Sequence, residues 1–234
     1  MVKMKVSVIA PVYNEAENVE SFIESLLKQI GKDDEIVVVD DNSPDGTWKK
    51  VEEFGKKDKR VRLLNRLNKR GLASAIRDGV ELATGDVFVW LDADMDTSLI
   101  KEMIKSMEEY DVVVASRYVK GGKDSRGVYR VITSFLIHAL SVLLLDPRIH
   151  DYTTGYVAVK RSVYEKTSFT DKGYGEYCIE FLYKCAKAGY KIKEIPFDCT
   201  PRVAGQAKAF PKISSHLRHI WGYGMMILKL SLKT

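Results

Sequence analysis

The chain of 234 residues is 45% hydrophobic and 29% charged, a composition that excludes intrinsic disorder, and its length favours one domain. Its net charge of +5, from 37 basic and 32 acidic residues, is too small to indicate a nucleic acid partner. The three cysteines have no metal-ligand spacing, and their odd number suits a reducing compartment.

The first half of the chain alternates buried strand patterns with helical patterns. This alternation is typical of a mainly parallel sheet that is covered by helices on both faces. Strands are predicted at 5–10, 35–39, 61–64, 87–91 and 111–116, and helices at 16–30, 47–57, 72–83 and 98–109.

The strand predicted at 87–91 leads directly into three carboxylates at alternate positions, Asp92, Asp94 and Asp96. Residues two apart in an extended segment project to one side, and ligands of parallel α/β sheets bind beyond the carboxyl ends of strands. Converging carboxylates repel one another unless a cation lies between them. The pattern therefore predicts Mg²⁺ or Mn²⁺ shared with the phosphates of a nucleotide. Asp96 has an alternative role as the N-cap of the next helix.

The second half of the chain follows a different pattern. A Gly-rich basic segment at 120–126 is predicted to be irregular, and two helical segments at 131–145 and 217–232 are unusually apolar. Neither reaches the roughly 20 apolar residues that span a bilayer, so a membrane interface is as consistent with them as packing in the core or at a subunit interface. The remaining predictions are a polar turn at 151–155, strands at 156–160 and 190–196, a helix at 177–188 and a basic irregular segment at 200–210.

The common phosphate-binding loops are absent from the sequence. No Gly-x-Gly-x-x-Gly follows the first strand and no P-loop motif occurs, which argues against a dinucleotide-dependent reductase or an ordinary NTPase. The first two strand ends instead carry 11–15 (PVYNE) and Asp40-Asp41, which offer a flat surface for a base and carboxylates for ribose or base N–H groups. With Asp92 and Asp94, three strand ends predict a sugar-nucleotide site.

Seven motifs in one order resemble the inverting glycosyltransferases of family 2, and more narrowly the transferases that use polyprenyl phosphates as acceptors. The motifs are PVYNE (11–15), VVVDDNSPDGT (37–47), GLASA (71–75), DAD (92–94), ASRYVKGG (115–122), TTGY (153–156) and RVAGQAK (202–208). The resemblance implies a GT-A type three-layer α/β sandwich with amphipathic interfacial helices. It also implies one domain with a nucleotide-sugar-binding half (1–118), an acceptor-binding half (119–210) and a C-terminal amphipathic helix (211–234).

The resemblance also implies roles for individual residues. The nucleoside is expected at Pro11, Tyr13, Glu15, Val39 and Asp41, and the metal at Asp92, Asp94 and Asp96, with Ala93 against the nucleotide. The position of Asp96 is often Gln in the family. The donor diphosphate is expected at Arg117 and Arg202, and the acceptor phosphate at Arg130, Ser134 and Lys208. With Asp94, Arg117 and Arg202 are expected at the reaction centre, whereas Lys120, Lys123 and Arg126 are interpreted as surface charges.

The activity implied by the resemblance is transfer of mannose from GDP-mannose to dolichyl or another polyprenyl phosphate, with Mg²⁺ or Mn²⁺. A phosphate monoester with a second pKa of about 6 is already a nucleophile at neutral pH, so the site needs cationic clamps rather than a strong base. The two apolar helices would then provide peripheral contact at the cytoplasmic face of a membrane, alone or with a small membrane partner subunit.

Three alternatives remain open at this point. The same reaction with UDP-glucose or another nucleotide sugar fits the motifs, and so does a non-catalytic nucleotide-sugar-binding membrane scaffold. Transfer to a sugar or polysaccharide acceptor would require a carboxylate base, for which Glu176 and Glu180 are the candidates.

Overall fold

The computed structural model describes residues 4–170, 174–200 and 213–232, the last range as backbone only up to residue 218. Within these ranges, nine strands form a seven-stranded sheet and a separate two-stranded ribbon. The strands are β1 (Val6–Val12), β2 (Glu35–Asp40), β3 (Val61–Asn65), β4 (Val87–Trp90), β5 (Val112–Ser116), β6 (Lys123–Asp124), β7 (Val157–Lys160), β8 (Ile192–Pro196) and β9 (Asp198–Cys199).

The strand order of the large sheet is β3-β2-β1-β4-β7-β5-β8, and every neighbouring pair is parallel except the two pairs that include β7. Val157 at the start of β7 lies opposite Trp90 at the end of β4 and Val114 in β5. The residues just before β7 therefore reach the edge of the sheet where the parallel strands end. The antiparallel direction of β7 was not predicted from the sequence.

Helices cover both faces of the large sheet. The helices are α1 (Val19–Leu27), α2 (Thr47–Lys57), α3 (Leu72–Leu82), α4 (Ile100–Ser106), α5 (Val128–Leu144), α6 (Arg161–Tyr164), α7 (Glu176–Lys187) and α8 (Ile213–Ser231), with a 3₁₀ helix at Thr97–Leu99. The first, second and fourth pack on one face, and the others pack on the opposite face.

The central strands explain this three-layer arrangement, because their side chains alternate between the two cores. Val8 and Val38 join the core under α1, α2 and α4, whereas Ile9 and Val37 join the opposite core, and all four are fully buried. Burial of each such side chain contributes about 1.5 to 3 kcal/mol. The predicted α/β fold with a mainly parallel sheet and helices on both faces is confirmed.

The positions of most elements agree with the sequence prediction to within a few residues. The helix predicted at 98–109 is divided into the 3₁₀ helix and α4, and the segment 120–126 contributes β6, which pairs with β9. β9 and the short α6 were also not predicted. Strands from both halves, 1–118 and 119–210, form one sheet.

Candidate active site

The residues predicted to hold the nucleoside lie together at the carboxyl ends of β1 and β2. Pro11 is directly opposite Val39 in the parallel pairing of these strands, and Tyr13 follows at the end of β1. Glu15 is buried, and its backbone N–H donates to Thr47 Oγ1 at 2.9 Å. The structure thus brings all five residues, including Asp41, to one edge of the sheet.

Asp41 is held by an arginine that the sequence reasoning missed. Arg66, which directly follows β3 and is 6% exposed, donates from Nε to Asp41 Oδ1 at 2.7 Å and also from Nη2. The second oxygen of Asp41 accepts the backbone N–H of Gly71 at 2.9 Å. Arg66 also donates to Asp78 Oδ2 at 3.0 Å, so the buried cation has two acidic partners. The strand-end rule that selected Asp40 and Asp41 would have found Arg66 as well.

A polar turn fixes the ends of β1 and β2 relative to each other. The buried Asp40 accepts the backbone N–H and the hydroxyl of Ser43, both at 2.7 Å. Burial raises the pKa of Asp40 although these hydrogen bonds lower it. Ser43 Oγ in turn accepts the backbone N–H of Asn14 at 2.9 Å. Asn14 and Asn42 adopt φ of 53° and 56°, a left-handed conformation that asparagine tolerates in sharp turns.

The predicted metal ligands follow β4 directly. Asp92 and Ala93 are partly exposed and Asp94 is exposed, immediately after the buried Leu91. Carboxylate oxygens suit a hard cation such as Mg²⁺ or Mn²⁺. Over the described residues, no group of three or more His, Cys, Asp and Glu side chains is arranged to hold a metal ion. A cation at Asp92 and Asp94 would therefore share its remaining positions with phosphate oxygens and water, as Mg²⁺ commonly does.

Asp96 makes the capping contact that was its alternative role. Its Oδ1 accepts the backbone N–H of Ser98 at 2.9 Å, and its Oδ2 accepts the Ser98 hydroxyl at 2.6 Å. Asp96 is thus the N-cap of the 3₁₀ helix that leads into α4. Its role as a third metal ligand stays a prediction. We call Glu15, Asp41, Asp92 and Asp94 the acidic edge.

Arg117 follows β5, and its guanidinium is bound to a buried carboxylate. Its Nε and Nη2 donate to the two oxygens of Asp151 at 2.8 and 2.7 Å, and Nη2 also donates to Thr153 Oγ1 at 2.8 Å. The side chains of Arg117 and Asp151 are 3% and 0% exposed. Although burial alone would lower the pKa of Arg117, the charge of Asp151 raises it. The side chain is therefore a fixed cation, and its direct contact with the donor diphosphate stays a prediction.

A second carboxylate links Arg117 to Arg126. Asp124 lies 3.5 Å from Arg117 Nη1 and accepts from Arg126 Nε at 2.8 Å and Nη2 at 2.6 Å. Arg126 Nη2 also donates to Ser134 Oγ at 3.0 Å. The interpretation of Arg126 as a surface charge is wrong, because its side chain is 22% exposed and has these partners. Lys120 and Lys123 are exposed, as expected. We call Arg117, Asp124, Arg126 and Asp151 the basic cluster.

Arg130 and Ser134 lie one helical turn apart on α5, where residues four apart share a face. Both are partly exposed. Arg202 and Lys208, which were predicted to complete the phosphate clamps, lie outside the described residues.

Asp151 is a site residue that the sequence reasoning treated as part of a polar turn. Its backbone N–H donates to Glu194 Oε1 at 2.9 Å, and the other oxygen of Glu194 accepts the backbone N–H of His150 at 2.8 Å. Asp151 reaches Arg117 because β7 is antiparallel. That direction is set by the pairing of β7 with the distant β4 and β5, for which the sequence has no local signal.

The two candidate bases for a sugar acceptor have structural roles. Glu176 Oε2 accepts the backbone N–H groups of Tyr174 and Gly175 at 2.7 and 3.0 Å, at the start of α7. Glu180 Oε2 accepts the backbone N–H of Thr170 at 2.9 Å, and Oε1 lies 2.8 Å from Lys184 Nζ. Both glutamates thus stabilise the surroundings of α7.

The two apolar helices, α5 and α8, pack against each other and expose large hydrophobic side chains. These are Val128, Tyr129, Ile132, Phe135, Leu136 and Leu143 on α5, Trp221, Met225 and Leu228 on α8, and Leu232 directly after α8. An open, mainly apolar cavity of about 640 Å³ lies between α8 and the start of α7. None of the described helices is long and apolar enough to cross a membrane.

Comparison with known proteins shows the family to which the chain belongs. The model of the family described as Glycosyl transferase family 2 matches residues 7–168. The chain is 37% identical over 93% of its length to a dolichol-phosphate mannosyltransferase of Pyrococcus furiosus, and it spans 63% of that protein. It is 33% identical over 86% of its length to a polyprenol monophosphomannose synthase of Mycolicibacterium smegmatis, and it spans 79% of that protein.

Two solved structures have the same fold at low identity. A mannosyltransferase from Pyrobaculum calidifontis in complex with GDP-Man and Mn²⁺ matches with a TM-score of 0.70 at 23% identity, over 98% of this chain and 65% of that one. A glucosyl-3-phosphoglycerate synthase from Mycobacterium tuberculosis with Mn²⁺, UDP-glucose and phosphoglyceric acid matches with a TM-score of 0.76 at 17% identity, over 97% and 80%. Both likenesses support the three-layer fold.

Proposed function

We propose a function from one established premise: the chain belongs to glycosyl transferase family 2, as its motifs predicted. Within that family we propose that it moves mannose from GDP-mannose to the phosphate of dolichol or another polyprenol, with inversion at the anomeric carbon. The observation that carries the proposal is the 33% identity to a polyprenol monophosphomannose synthase, of which the chain spans 79%. The 37% identical dolichol-phosphate mannosyltransferase supports it.

The acidic edge supports a donor nucleotide at the ends of β1, β2 and β4. Pro11 and Tyr13 offer surfaces to the base, and Glu15 and Asp41 supply carboxylates at the nucleoside end. Asp92 and Asp94 would hold Mg²⁺ or Mn²⁺, which when bound neutralises charge on the leaving diphosphate. Asp96 could add a third carboxylate, in competition with its contacts to Ser98.

The acceptor would bind on the other side of the anomeric carbon, near Arg130 and Ser134. One oxygen of the acceptor phosphate forms a bond to the anomeric carbon while the bond from that carbon to the donor diphosphate breaks. The bonding electron pair leaves with GDP. Because a dianionic acceptor carries no proton on the attacking oxygen, no general base is needed. The structural roles of Glu176 and Glu180 agree with this chemistry and count against a sugar acceptor.

The exposed side chains on α5 and α8 suit a lipid acceptor. A polyprenyl phosphate keeps its chain in a bilayer and presents only its head group, so the enzyme must approach the membrane surface. Apolar and aromatic side chains such as Phe135 and Trp221 are suited to that interface. We therefore propose peripheral contact at the cytoplasmic face of a membrane, alone or with a small membrane subunit.

Incubation with GDP-[¹⁴C]mannose, Mn²⁺ and a polyprenyl phosphate tests this function. The expected product is an acid-labile lipid that extracts into organic solvent and whose formation stops when the metal is chelated. Parallel thermal-shift titrations with GDP and UDP show which nucleotide stabilises the protein. Label in lipid from UDP-glucose but not from GDP-mannose would replace the proposed donor, and a lack of lipid label from any donor would remove the transferase proposal.

A further inference from the structure

We propose that Arg126 is an additional ligand of the acceptor phosphate, acting with Arg130 and Ser134. This inference rests on the proposed transfer to a phosphate acceptor and adds to it a residue that the motif comparison did not select. Its starting point is the contact of Arg126 Nη2 with Ser134 Oγ at 3.0 Å.

That contact determines which way the serine hydroxyl can act. Because Ser134 Oγ accepts a hydrogen bond from Arg126, its own O–H proton is directed to another acceptor. Among the described residues the Ser134 hydroxyl has no such acceptor. The unprotonated oxygens of a phosphate dianion accept hydrogen bonds. One of them could therefore accept the O–H proton of Ser134, which the contact with Arg126 does not use.

The arginine itself retains donors for a ligand. Its Nε and Nη2 are occupied by Asp124 and Ser134, and Nη1 has no partner in the described part of the chain. The side chain is 22% exposed, so this end of the guanidinium is accessible while the other end is fixed. A guanidinium held in this way can bind a phosphate oxygen without first losing the freedom of a long side chain.

The charge of Arg126 is only partly neutralised by its carboxylate partner. Asp124 is shared between Arg126 and Arg117, whereas Asp151 is bound only to Arg117 among these two cations. Because Arg126 shares its carboxylate with a second arginine, it can still attract an incoming phosphate.

Two other pairs in the chain show that the Asp-x-Arg arrangement alone is not a site. Asp58 and Asp146 each bind the arginine two residues later, with Nη2 to Oδ2 distances of 2.6 Å, as Asp124 does. Neither Arg60 nor Arg148 donates to a serine or shares its carboxylate with a second arginine in the described structure. Arg60 and Arg148 are therefore matched controls for the removal of Arg126.

The test measures initial rates with GDP-mannose and a short-chain polyprenyl phosphate for the wild-type chain and for R126A, R126K, R60A and R148A. Loss of a charge-assisted contact to phosphate is expected to raise the acceptor KM of R126A about 10- to 100-fold and to leave the donor KM within about twofold. R126K keeps the positive charge but not the planar set of guanidinium N–H donors, so its acceptor KM should lie between those of wild type and R126A. R60A and R148A should remain within about twofold of wild type.

Circular dichroism and a thermal melt establish that each variant is folded, and R126K decides the question if R126A does not fold. An acceptor KM of R126A no higher than that of R148A, or equal increases in the donor and acceptor KM values, would overturn the role of Arg126. So would an R126K indistinguishable from wild type when R126A is unfolded. If the wild-type chain itself transfers no sugar to lipid, the proposed function fails first and this inference fails with it.

Discussion

The two ends of the large sheet use charged residues differently. At the amino end, Glu35 of β2 binds Ser7 of β1 at 2.7 Å, Arg62 of β3 at 2.7 Å and Thr84 before β4 at 2.6 and 2.7 Å. At the carboxyl end, Asp94 is exposed at the rim of the acidic edge. Charges at the amino end hold four strands together, whereas at the carboxyl end an exposed carboxylate lies beside buried, paired ones such as Asp41. The basic cluster also lies at the carboxyl end, and its Arg117 and Asp151 are buried and paired like Glu35.

Replacement of Asp151 by asparagine tests whether the basic cluster is structural like the amino end. D151N removes the carboxylate charge that Arg117 Nε and Nη2 bind and leaves the buried arginine, among the described carboxylates, only Asp124 at 3.5 Å, so we expect it to lower the free energy of unfolding by about 3 to 5 kcal/mol. Urea unfolding measures this loss. D146N is the control, since Asp146 pairs with the 69% exposed Arg148, and it should lose far less stability. Equal losses in D151N and D146N would show that burial of the Arg117 pair has no special importance.

Replacement of Asp94 tests whether the acidic edge serves the transfer reaction rather than the stability of the fold. We expect D94A to reduce mannosyl transfer by about 100- to 1,000-fold, because it removes a carboxylate next to the leaving diphosphate, and to keep the stability of the wild type. Transfer assays and urea unfolding on the same samples measure both. E108Q, at an exposed glutamate after α4, should change neither quantity. A D94A chain with normal transfer would remove Asp94 from the mechanism.

The amino end should show a pH dependence of stability that comes from Glu35. Burial alone would raise the pKa of Glu35, but hydrogen bonds from Thr84, Arg62 and Ser7 lower it from 4.5 to about 2. The ionised carboxyl therefore stabilises the fold above pH 4.5, and this contribution disappears as the pH falls toward 2. We expect E35Q to be less stable than wild type by roughly 2 kcal/mol at pH 7, after allowance for solvent screening, and the difference to shrink at pH 3.

Urea midpoints of wild type and E35Q at both pH values provide the measurement. Transfer by E35Q at pH 7 should match that of wild type, because Glu35 lies at the end of the sheet opposite the site. A stability difference that is the same at pH 3 and pH 7 would contradict the low pKa of Glu35.

Replacement of Asp96 should have the smallest effect, and it tests whether Asp96 belongs to the acidic edge. Loss of its cap to Ser98 should lower the stability of D96A by about 1 kcal/mol. Transfer should fall by less than tenfold, since Asp92 and Asp94 remain. S98A is the control for the cap, because it removes one of the two hydrogen bonds to Asp96 without removing the carboxylate. A loss of transfer in D96A as large as that in D94A would instead establish Asp96 as a metal ligand.

The sequence predicted the acidic edge better than the basic cluster, for a physical reason. Asp92 follows an apolar run directly and Asp41 and Asp94 follow one within three residues, so the local pattern places all three at a strand end. The partners of Arg117 depend instead on pairing between distant segments. Asp151 reaches it only through the antiparallel β7, and Asp124 is set beside it by the pairing of β6 with β9. No local pattern encodes such a contact.

The position of β7 also affects how the protein can be synthesised. Both neighbours of β5, which are β7 and β8, come later in the chain, although all five residues of β5 are buried in the finished sheet. While the ribosome makes the residues between Ser116 and Val157, β5 therefore has two unpaired edges. Unpaired apolar strands are the parts of nascent chains that aggregate or bind chaperones. β7, the strand that brings Asp151 to Arg117, must therefore be synthesised before its edge of β5 can be paired.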